Sequence, residues 1–366
     1  MILREIIAYL EKIAPPSLQE TYDNSGLLVG NREMEITRAL ICLDSIPEVI
    51  DEALEKGANL VIAHHPIVFN GLKRFNGSTH VEQAVIKAIK NDIAIYAIHT
   101  NLDNVLQNGV NQKIAEKLGL TDTRILEPKI GILRKLSVFC PDSHAEQVRM
   151  ALFKAGAGKV GNYDACSFNL QGDGSFRALE GAKPYVGEIG KIHWEPEIRM
   201  EVVFPDYLQN AILRAMFRTH PYEEVAYDIV KLENSWSAVG SGLIGDLPEE
   251  MSPQEFLEHI KVRMNIPMIR YTDSIHKKLK KVALCGGSGS FLLQRAISQD
   301  AQVFLSSDFK YHQFFESEKK IMIADVGHYE GEYFTIELLG HLLTENFPTF
   351  AVIFYGNNTN PLKYYC

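Results

Sequence analysis

The sequence has few cysteines, and none of them lies close to another in the sequence. Along 366 residues no Cys-x-x-Cys motif occurs, and the five cysteines are scattered singly, at Cys42, Cys140, Cys166, Cys285 and Cys366. An odd number of isolated cysteines argues against a disulfide framework and against a thiolate zinc site. We therefore expect reduced thiols in a cytoplasmic protein.

Also missing are a long apolar run and a surplus of positive charge. Nowhere do about 18 apolar residues follow one another, as a membrane span requires. The N-terminal segment 1–12 has charges at helical spacing, which indicates an amphipathic helix and no signal peptide. The formal net charge of −9 disfavours a nucleic-acid-binding protein, which needs Lys and Arg to displace counterions. A nucleotide substrate is still compatible with this charge, because bound metal ions can supply positive charge locally.

What the sequence does contain is alternating strand and helix patterns at both ends. Continuous apolar runs are separated by helical segments, and the runs occupy residues 39–44, 59–63, 93–98, 281–285, 301–305, 320–324 and 350–354. Apolar strands joined by helices predict a parallel or mixed sheet that is covered on both faces. Both chain ends are therefore expected to form α/β structure.

The middle third has a different pattern. From about residue 134 to 232 the order is β-α-β-β-α-β, which is typical of a ferredoxin-like α+β unit. A glycine cluster at residues 240–245 marks the second joint. The predicted organisation is an α/β core built from residues 1–130 and 239–366, with residues 131–238 inserted as a separate domain.

Histidine and acidic residues follow three of the predicted strands at the point where each ends. His64 and His65 come after the second run, His99 and Asp103 after the third, and His328 and Glu332 after the run at 320–324. In open α/β sheets ligands collect at the carboxyl ends of the strands, so these side chains are expected on one rim. Imidazole and carboxylate groups suit Zn, Fe or Mn.

The spacing of these residues favours two ions over one. His328 and Glu332 are four positions apart and share one face of a helix, whereas the adjacent His64 and His65 point apart. With Asp103 as a further ligand and Glu332 as a bridge, the set fits a pair of divalent metals. For His99 three roles stay open: a proton carrier, a group that supports Asp103, or an ordered strand-end residue.

Three other segments have a functional and a structural interpretation. The loop Gly286–Gly289 is either an anion cradle or a tight turn, and it lacks the spacing of a P-loop. Asp308, Lys310 and His312 are candidates for substrate contact, although Asp308 also suits a helix cap. Asp23 and Asn24 either cap a helix or line the site.

Taken together, these motifs resemble the NIF-three-like family, whose bacterial members are often called GTP cyclohydrolase 1 type 2 homologues. The matching stretches span nearly the whole chain in family order and are Tyr-Asp-Asn-Ser-Gly-Leu-Leu-Val-Gly (22–30), Ala-His-His-Pro (63–66), His-Thr-Asn-Leu-Asp (99–103), Cys-Gly-Gly-Ser-Gly (285–289) and Asp-Val-Gly-His-Tyr-Glu (325–330). The middle third resembles the PII/CutA-like insertion of longer members, with residues 161–168 and 220–228 as the matching segments.

The resemblance implies a fold, a site and an assembly. The fold is a NIF-three-like mixed-sheet α/β core with a ferredoxin-like insertion. The site is a two-metal centre with His64, His65, Asp103, His328 and Glu332 as ligands. The assembly is a ring-shaped homohexamer that encloses a cavity.

Three functions are compatible with this sequence. The first is a metal-dependent hydrolase of a nucleotide or heterocycle, with His99 or a nearby acid moving protons during opening of a purine ring. The second is a metal-dependent phosphoesterase, for which a metal pair is equally suited. The third is a non-catalytic regulatory scaffold whose insertion binds a small effector or partner.

Overall fold

The structure is a computed structural model that describes residues 1–365. The strands in chain order are β1 (Gly26–Val29), β2 (Arg38–Asp44), β3 (Leu60–His65), β4 (Ala94–Ala97), β5 (Thr121–Ile130), β6 (Leu133–Pro141), β7 (Phe168–Arg177), β8 (Ile192–Pro205), β9 (Tyr227–Lys231), β10 (Ser235–Met251), β11 (Arg270–Tyr271), β12 (Leu279–Ser288), β13 (Val303–Ser307), β14 (Met322–Asp325) and β15 (Ala351–Phe354).

The helices alternate with these strands over much of the chain. The α-helices are α1 (Leu3–Ile13), α2 (Pro47–Glu55), α3 (His80–Lys90), α4 (Thr100–Asp103), α5 (Val110–Leu118), α6 (Asp142–Lys154), α7 (Gln209–Thr219), α8 (Pro253–Met264), α9 (Leu293–Ser298), α10 (His328–Glu332) and α11 (Phe334–Asn346). Short 3₁₀ helices lie at Pro16–Leu18, Asp206–Leu208, Ser290–Leu292 and Tyr311–Ser317. Within the described residues, none of the helices combines the length and the apolar character that crossing a membrane requires.

The chain forms two compact units. The first unit contains residues 1–127 together with the chain from residue 238 onward, and the second contains residues 128–237. The first unit therefore consists of the two ends of the sequence.

Two sheets form the first unit. Most strands of each sheet come from one end of the chain, and one edge strand comes from the opposite end. One sheet has the order β1-β4-β3-β2-β15, and the other has the order β11-β14-β13-β12-β10-β5. The central strands of both sheets are parallel, while β1, β10 and β11 pair antiparallel with their neighbours. Because β15 completes the first sheet and β5 the second, the two chain ends interlock. The predicted mixed-sheet α/β core is confirmed.

The central strands of this unit are buried on both faces. In β3 the residues from Leu60 to Ala63 have no exposed surface, and the same holds for Ile95 and Ala97 in β4. Side chains that alternate between the two faces of such a strand all meet packed helices, so every position is apolar. This burial is the physical reason for the continuous apolar runs in the sequence.

The second unit contains one antiparallel sheet of order β7-β8-β6-β9. The chain order β6-α6-β7-β8-α7-β9 on this sheet is the ferredoxin-like arrangement. Its core includes Leu136, Val138, Met200 and Ile212, so both helices pack on one face of the sheet. The closer likeness to PII and CutA stays a prediction.

Candidate metal centre

The predicted ligands converge at the ends of strands from two sheets. His64 and His65 are the last two residues of β3, and Asp103 closes α4, which follows β4. His328 and Glu332 are the first and last residues of α10, which follows β14 in the other sheet. The expectation of a single rim was therefore wrong in this respect. Because β3 and β14 belong to different sheets, the ligands come from two rims that face each other.

The start of each short helix is held so that its side chains reach the centre. At the start of α4, Asp23 Oδ2 accepts a hydrogen bond from the Thr100 N–H at 3.0 Å, which caps the first turn. Ahead of α10, Gly327 has φ of 88°, a left-handed conformation that glycine adopts without steric cost. Glu332 closes this separate helix of one turn, and the long helix α11 begins at Phe334.

Four histidines have one ring nitrogen bonded to an oxygen and the other directed at the centre. The Nδ1 partners are the Ile98 carbonyl for His64 (2.8 Å), Asp44 Oδ1 for His65 (2.7 Å), Asp23 Oδ1 for His99 (2.8 Å) and Asp308 Oδ2 for His328 (2.6 Å). An acceptor at Nδ1 places the proton there and leaves Nε2 as a lone-pair donor. This arrangement is the usual preparation of histidine for metal binding.

Glu332 shares its two carboxylate oxygens between two groups of side chains. Its Oε2 lies 2.8 Å from His65 Nε2 and 3.1 Å from His328 Nε2. Its Oε1 lies 3.9 Å from His64 Nε2, and that nitrogen lies 3.6 Å from Asp103 Oδ1. Both groups, and a third formed by His64, His65 and His99, have ligand atoms within 4.8 Å of one another. These groups could hold a metal ion.

Two buried atoms of the cluster have no hydrogen-bond partner among the described residues, His64 Nε2 and Asp103 Oδ1. Their separation of 3.6 Å is too long for a hydrogen bond, and His64 is completely buried. An unpaired buried polar atom costs about 1–3 kcal/mol, and a cation between the two atoms would satisfy both of them. The donor set therefore fits a divalent ion on the geometry of this chain.

The electrostatics of the cluster reflect its crowded charges. Burial alone would lower the pKa of His65, but hydrogen bonds to Asp44 and Glu332 outweigh it and raise that pKa to about 10. Burial and then the Glu332 carboxylate raise the pKa of Asp103 to about 8. Burial acts to raise the pKa of Glu332 as well, yet hydrogen bonds from His328 and its neighbours hold it well below its usual range. Without a cation, protons on His65 and His328, whose pKa values are both raised, balance the Glu332 carboxylate.

The glycine loop lies directly against the Glu332 carboxylate. Residues 285–288 belong to β12, and Gly287 has φ of 63°. A Cβ at Gly287 would lie 2.1 Å from Glu332 Oε1, so no other residue allows this close approach. The Gly286 N–H donates to Asn111 Oδ1 at 2.8 Å and is not free for an anion. Of the two interpretations of this loop, the geometry favours the tight turn.

A further layer of contacts holds the histidine partners in place. The Thr359 hydroxyl, in the segment after β15, donates to Asp44 Oδ2 at 2.6 Å while Asp44 Oδ1 accepts from His65. Nearby, Asn360 donates to Glu330 Oε1, which lies on the same helix as His328 and Glu332. Sequence reasoning missed Asp44 and Thr359. For Asp44 there was a signal, since it is the last residue of an apolar strand, whereas nothing marked Thr359.

A cavity of about 850 Å³ opens onto the cluster. Its lining includes His65, His99, Asp103, His328 and Glu332. It continues along the segment after β3, whose apolar members Ile67, Val68, Phe69 and Leu72 form one wall. The candidate centre is thus accessible to a ligand of small-molecule size.

The structure places the remaining candidate residues beside the histidines, beside the apolar wall of the cavity, or on the exposed surface. Asp308 bonds to His328, and Asp23 bonds to His99, so both support histidines. The Asn24 amide donates to the Val68 carbonyl at 2.6 Å and so fixes the apolar wall. Lys310 and His312 are exposed and are not among the residues that line the cavity.

Comparisons with known proteins agree with this architecture. A profile of the family Duf34/NIF3 (NGG1p interacting factor 3) matches residues 1–361. A protein of Bacillus subtilis named GTP cyclohydrolase 1 type 2 homolog is 39% identical over 328 residues, which cover 89% of this chain and 88% of that protein. One of the same name from Staphylococcus epidermidis is 35% identical over 372 residues, with both chains fully covered.

Solved structures show the same similarity. The crystal structure of a Bacillus cereus protein related to NIF3 has a TM-score of 0.87 and 36% identity, and it covers 100% of this chain and 99% of its own. A Staphylococcus aureus protein has a TM-score of 0.78 and 28% identity, with the same coverage of both chains. The similarity includes both the α/β core and the inserted unit.

Proposed function

We propose that this chain, which belongs to the Duf34/NIF3 (NGG1p interacting factor 3) family, is a metal-dependent hydrolase with a two-metal centre. The resemblance that the sequence motifs indicated is thereby confirmed at the level of the family. The proposed substrates are nucleotides or related heterocycles, in keeping with the name of the relatives, GTP cyclohydrolase 1 type 2 homolog.

The division of Glu332 between two ligand groups is the observation that carries the proposal. In our assignment His64, Asp103 and Glu332 would hold one ion, and His65, His328 and Glu332 would hold the second. Zn, Fe and Mn all suit this set of nitrogen and oxygen ligands. When bound, such a pair activates water and stabilises negative charge on a substrate oxygen.

The chain's own residues complete the proposed mechanism. The His99 ring lies 5.2 Å from that of His64 and 5.3 Å from that of His65, and it faces the cavity. Asp23 holds the proton of His99 on Nδ1, so Nε2 accepts a proton from the attacking water and later donates it to the leaving nitrogen. Phe69, on the apolar wall, stands edge-on to His99 with the ring centroids 5.7 Å apart.

Two measurements test the proposal, metal content and product release. Elemental analysis of protein purified without added metal should give about two divalent ions per chain. Glu332→Ala should lower this content sharply and abolish formate release from the guanine ring, measured with guanosine and with GTP. Glu345→Ala, which removes an exposed glutamate on α11, serves as the matched control and should change neither quantity. One tightly held ion in both wild type and Glu332→Ala would refute the bridge.

Two further measurements distinguish the other two functions. Orthophosphate release from a panel of phosphoesters, with no ring-opened product, would identify a phosphoesterase. A metal-loaded protein that is inactive on all these substrates and retains one partner protein would identify a scaffold. The ring-shaped homohexamer remains a prediction, which light scattering of the purified protein would test.

A further inference from the structure

We infer that the cavity takes an uncharged aromatic heterocycle, such as a nucleobase or nucleoside, in preference to its phosphorylated forms. The inference rests on the proposed hydrolase function and narrows its substrate class. It depends on the charge, the shape and the hydrogen-bonding groups of the cavity wall.

The charge of the wall is the first argument. Among the described residues that line the cavity none is Lys or Arg, whereas the carboxylates are Glu20, Asp44, Glu82, Asp103 and Glu332. Proteins usually recognise phosphate through guanidinium or ammonium groups, or through free backbone N–H groups at a helix N-terminus. For a nucleoside triphosphate, the lining therefore offers histidines but no lysine or arginine to offset these carboxylates.

The glycine loop does not make up for the missing cations. It lies directly against the Glu332 carboxylate, and one of its N–H groups is already bonded to Asn111. A phosphate at this position would face a carboxylate oxygen in place of a free donor. The segment that most resembles an anion cradle in the sequence is therefore unsuited to hold one.

The shape of the wall suits a planar, apolar ring. Phe69 stands edge-on to His99, with ring centroids 5.7 Å apart, and 46% of its surface is exposed. Phe291 also lines the cavity and is 65% exposed. Exposed aromatic faces beside a reactive group provide stacking area for a heterocycle, and carboxylates nearby accept hydrogen bonds from ring N–H groups.

The cavity wall also contains a neutral hydrogen-bonding group, the hydroxyl of Ser45. Ser45, directly after β2, lines the cavity and is only 1% exposed, and its hydroxyl has no partner among the described residues. A buried hydroxyl without a partner is costly, so a ligand group or a water is expected there. A carbonyl or amine on an uncharged ring would satisfy it without a balancing charge.

The proposed metals can neutralise one anionic group, but only at the cluster itself. If a phosphate occupied that position, the ring would lie away from His99 and the ring-opening reaction would not occur. If the ring occupies it, the phosphates must lie along the acidic wall. For hydrolysis of the heterocycle the two requirements conflict, and the conflict disappears when the substrate has no phosphate.

Calorimetric titration of the metal-loaded protein with guanosine, GMP and GTP tests the inference. We expect binding to weaken along this series, with guanosine at least about tenfold tighter than GTP. Because triphosphates chelate divalent ions, the metal content of the protein must be measured after each titration. Tighter binding of GTP, or no measurable binding of guanosine, would overturn the inference.

A charge variant shows whether the wall causes the preference. Leu72→Arg places a cation on the cavity wall and should shift the ratio of GTP to guanosine affinity toward GTP by about tenfold. Leu72→Gln, of similar length without charge, should leave the ratio near that of the wild type. An unchanged ratio in Leu72→Arg would contradict the charge argument. Tight guanosine binding without ring opening would instead refute the hydrolase and leave this inference standing.

Discussion

Each of the two units contains a buried histidine, and the two histidines are used differently. In the first unit His64 donates from Nδ1 to the Ile98 carbonyl, and its Nε2 has no partner among the described residues. In the second unit His220 donates from Nε2 to the Phe139 carbonyl at 2.8 Å, and its Nδ1 accepts from Tyr222 N at 3.2 Å. Both are nearly or fully buried.

The difference shows that burial alone does not make a histidine a ligand. His220 has both ring nitrogens satisfied by backbone groups, so it links α7 to the sheet and has no lone pair to offer. His64 Nε2 has no hydrogen-bond partner among the described residues, and the Nε2 atoms of His65 and His328 meet at the Glu332 carboxylate close by. Convergence of several imidazole nitrogens on one carboxylate distinguishes a candidate metal centre from a structural histidine such as His220.

The largest expected effect comes from removing His64. His64→Ala should lower the metal content by about one ion per chain and weaken affinity for Zn²⁺ more than a hundredfold, because a direct ligand contributes more than its supporting groups. Competition with a chelator of known affinity measures this. The matched control is His220→Ala, another buried histidine, which should leave metal content unchanged. Equal metal loss in both variants would show that the comparison between the units is wrong.

A smaller effect is expected from the groups that hold His65. Asp44→Asn should weaken metal affinity about 10- to 100-fold, because the neutral amide no longer stabilises the Nδ1 proton of His65. Thr359→Val removes one hydrogen bond to Asp44 and should weaken affinity by about 2- to 10-fold. The same competition assay measures both variants.

Thr359→Ser is the control for Thr359→Val, because it keeps the hydroxyl and should behave as wild type. If Thr359→Ser lost as much metal affinity as Thr359→Val, the hydrogen bond to Asp44 would not be the reason for the loss.

The smallest effect concerns the pH dependence of the second unit. Burial, with a contribution from His144, lowers the pKa of His220, against the opposing hydrogen bond to Phe139. A lowered pKa in the folded state means that the neutral ring stabilises the unit above about pH 6.5, the value for an unfolded histidine. This stability is lost as the pH falls through the folded pKa. The pKa of His220 is lowered even with Tyr222 and Glu197 near the ring, so the direction of the pH dependence stays the same.

Tryptophan fluorescence during urea unfolding isolates this effect. The chain has two tryptophans, Trp194 and Trp236, and both lie in the second unit. The free energy of unfolding should fall between pH 7 and pH 5 in the wild type, and the fall should be smaller in His220→Gln. An identical pH dependence in the two proteins would exclude His220 as the cause.

Much of the fold was predictable because the signals were local. Strands such as β3 and β13 are buried on both faces, so their composition alone identifies them. Their pairing was not predictable in the same way. The addition of β15 to the first sheet and of β5 to the second depends on contacts between residues more than a hundred positions apart, and no pattern within either strand encodes its partner.

The site followed the same division. His64 and His65 at a strand end, and His328 and Glu332 on one helix face, were recognisable from residue type and spacing. The hydrogen bonds of these histidines were not, because Asp44, Asp308 and the Ile98 carbonyl come close to them only in the folded chain. The distinction between an anion cradle and a tight turn against Glu332 likewise required the position of Gly287.

By itself the sequence determined the family, the mixed-sheet core and which side chains are chemically able to bind metal, because these follow from composition, periodicity and motif. Only the tertiary structure decided that the predicted ligands come from two facing sheets, which nitrogen of each histidine points at the centre and which charges line the cavity. Those properties depend on distances of a few ångströms between segments remote in sequence. A hydrogen bond or an ion pair is sensitive to such distances, whereas residue order is not.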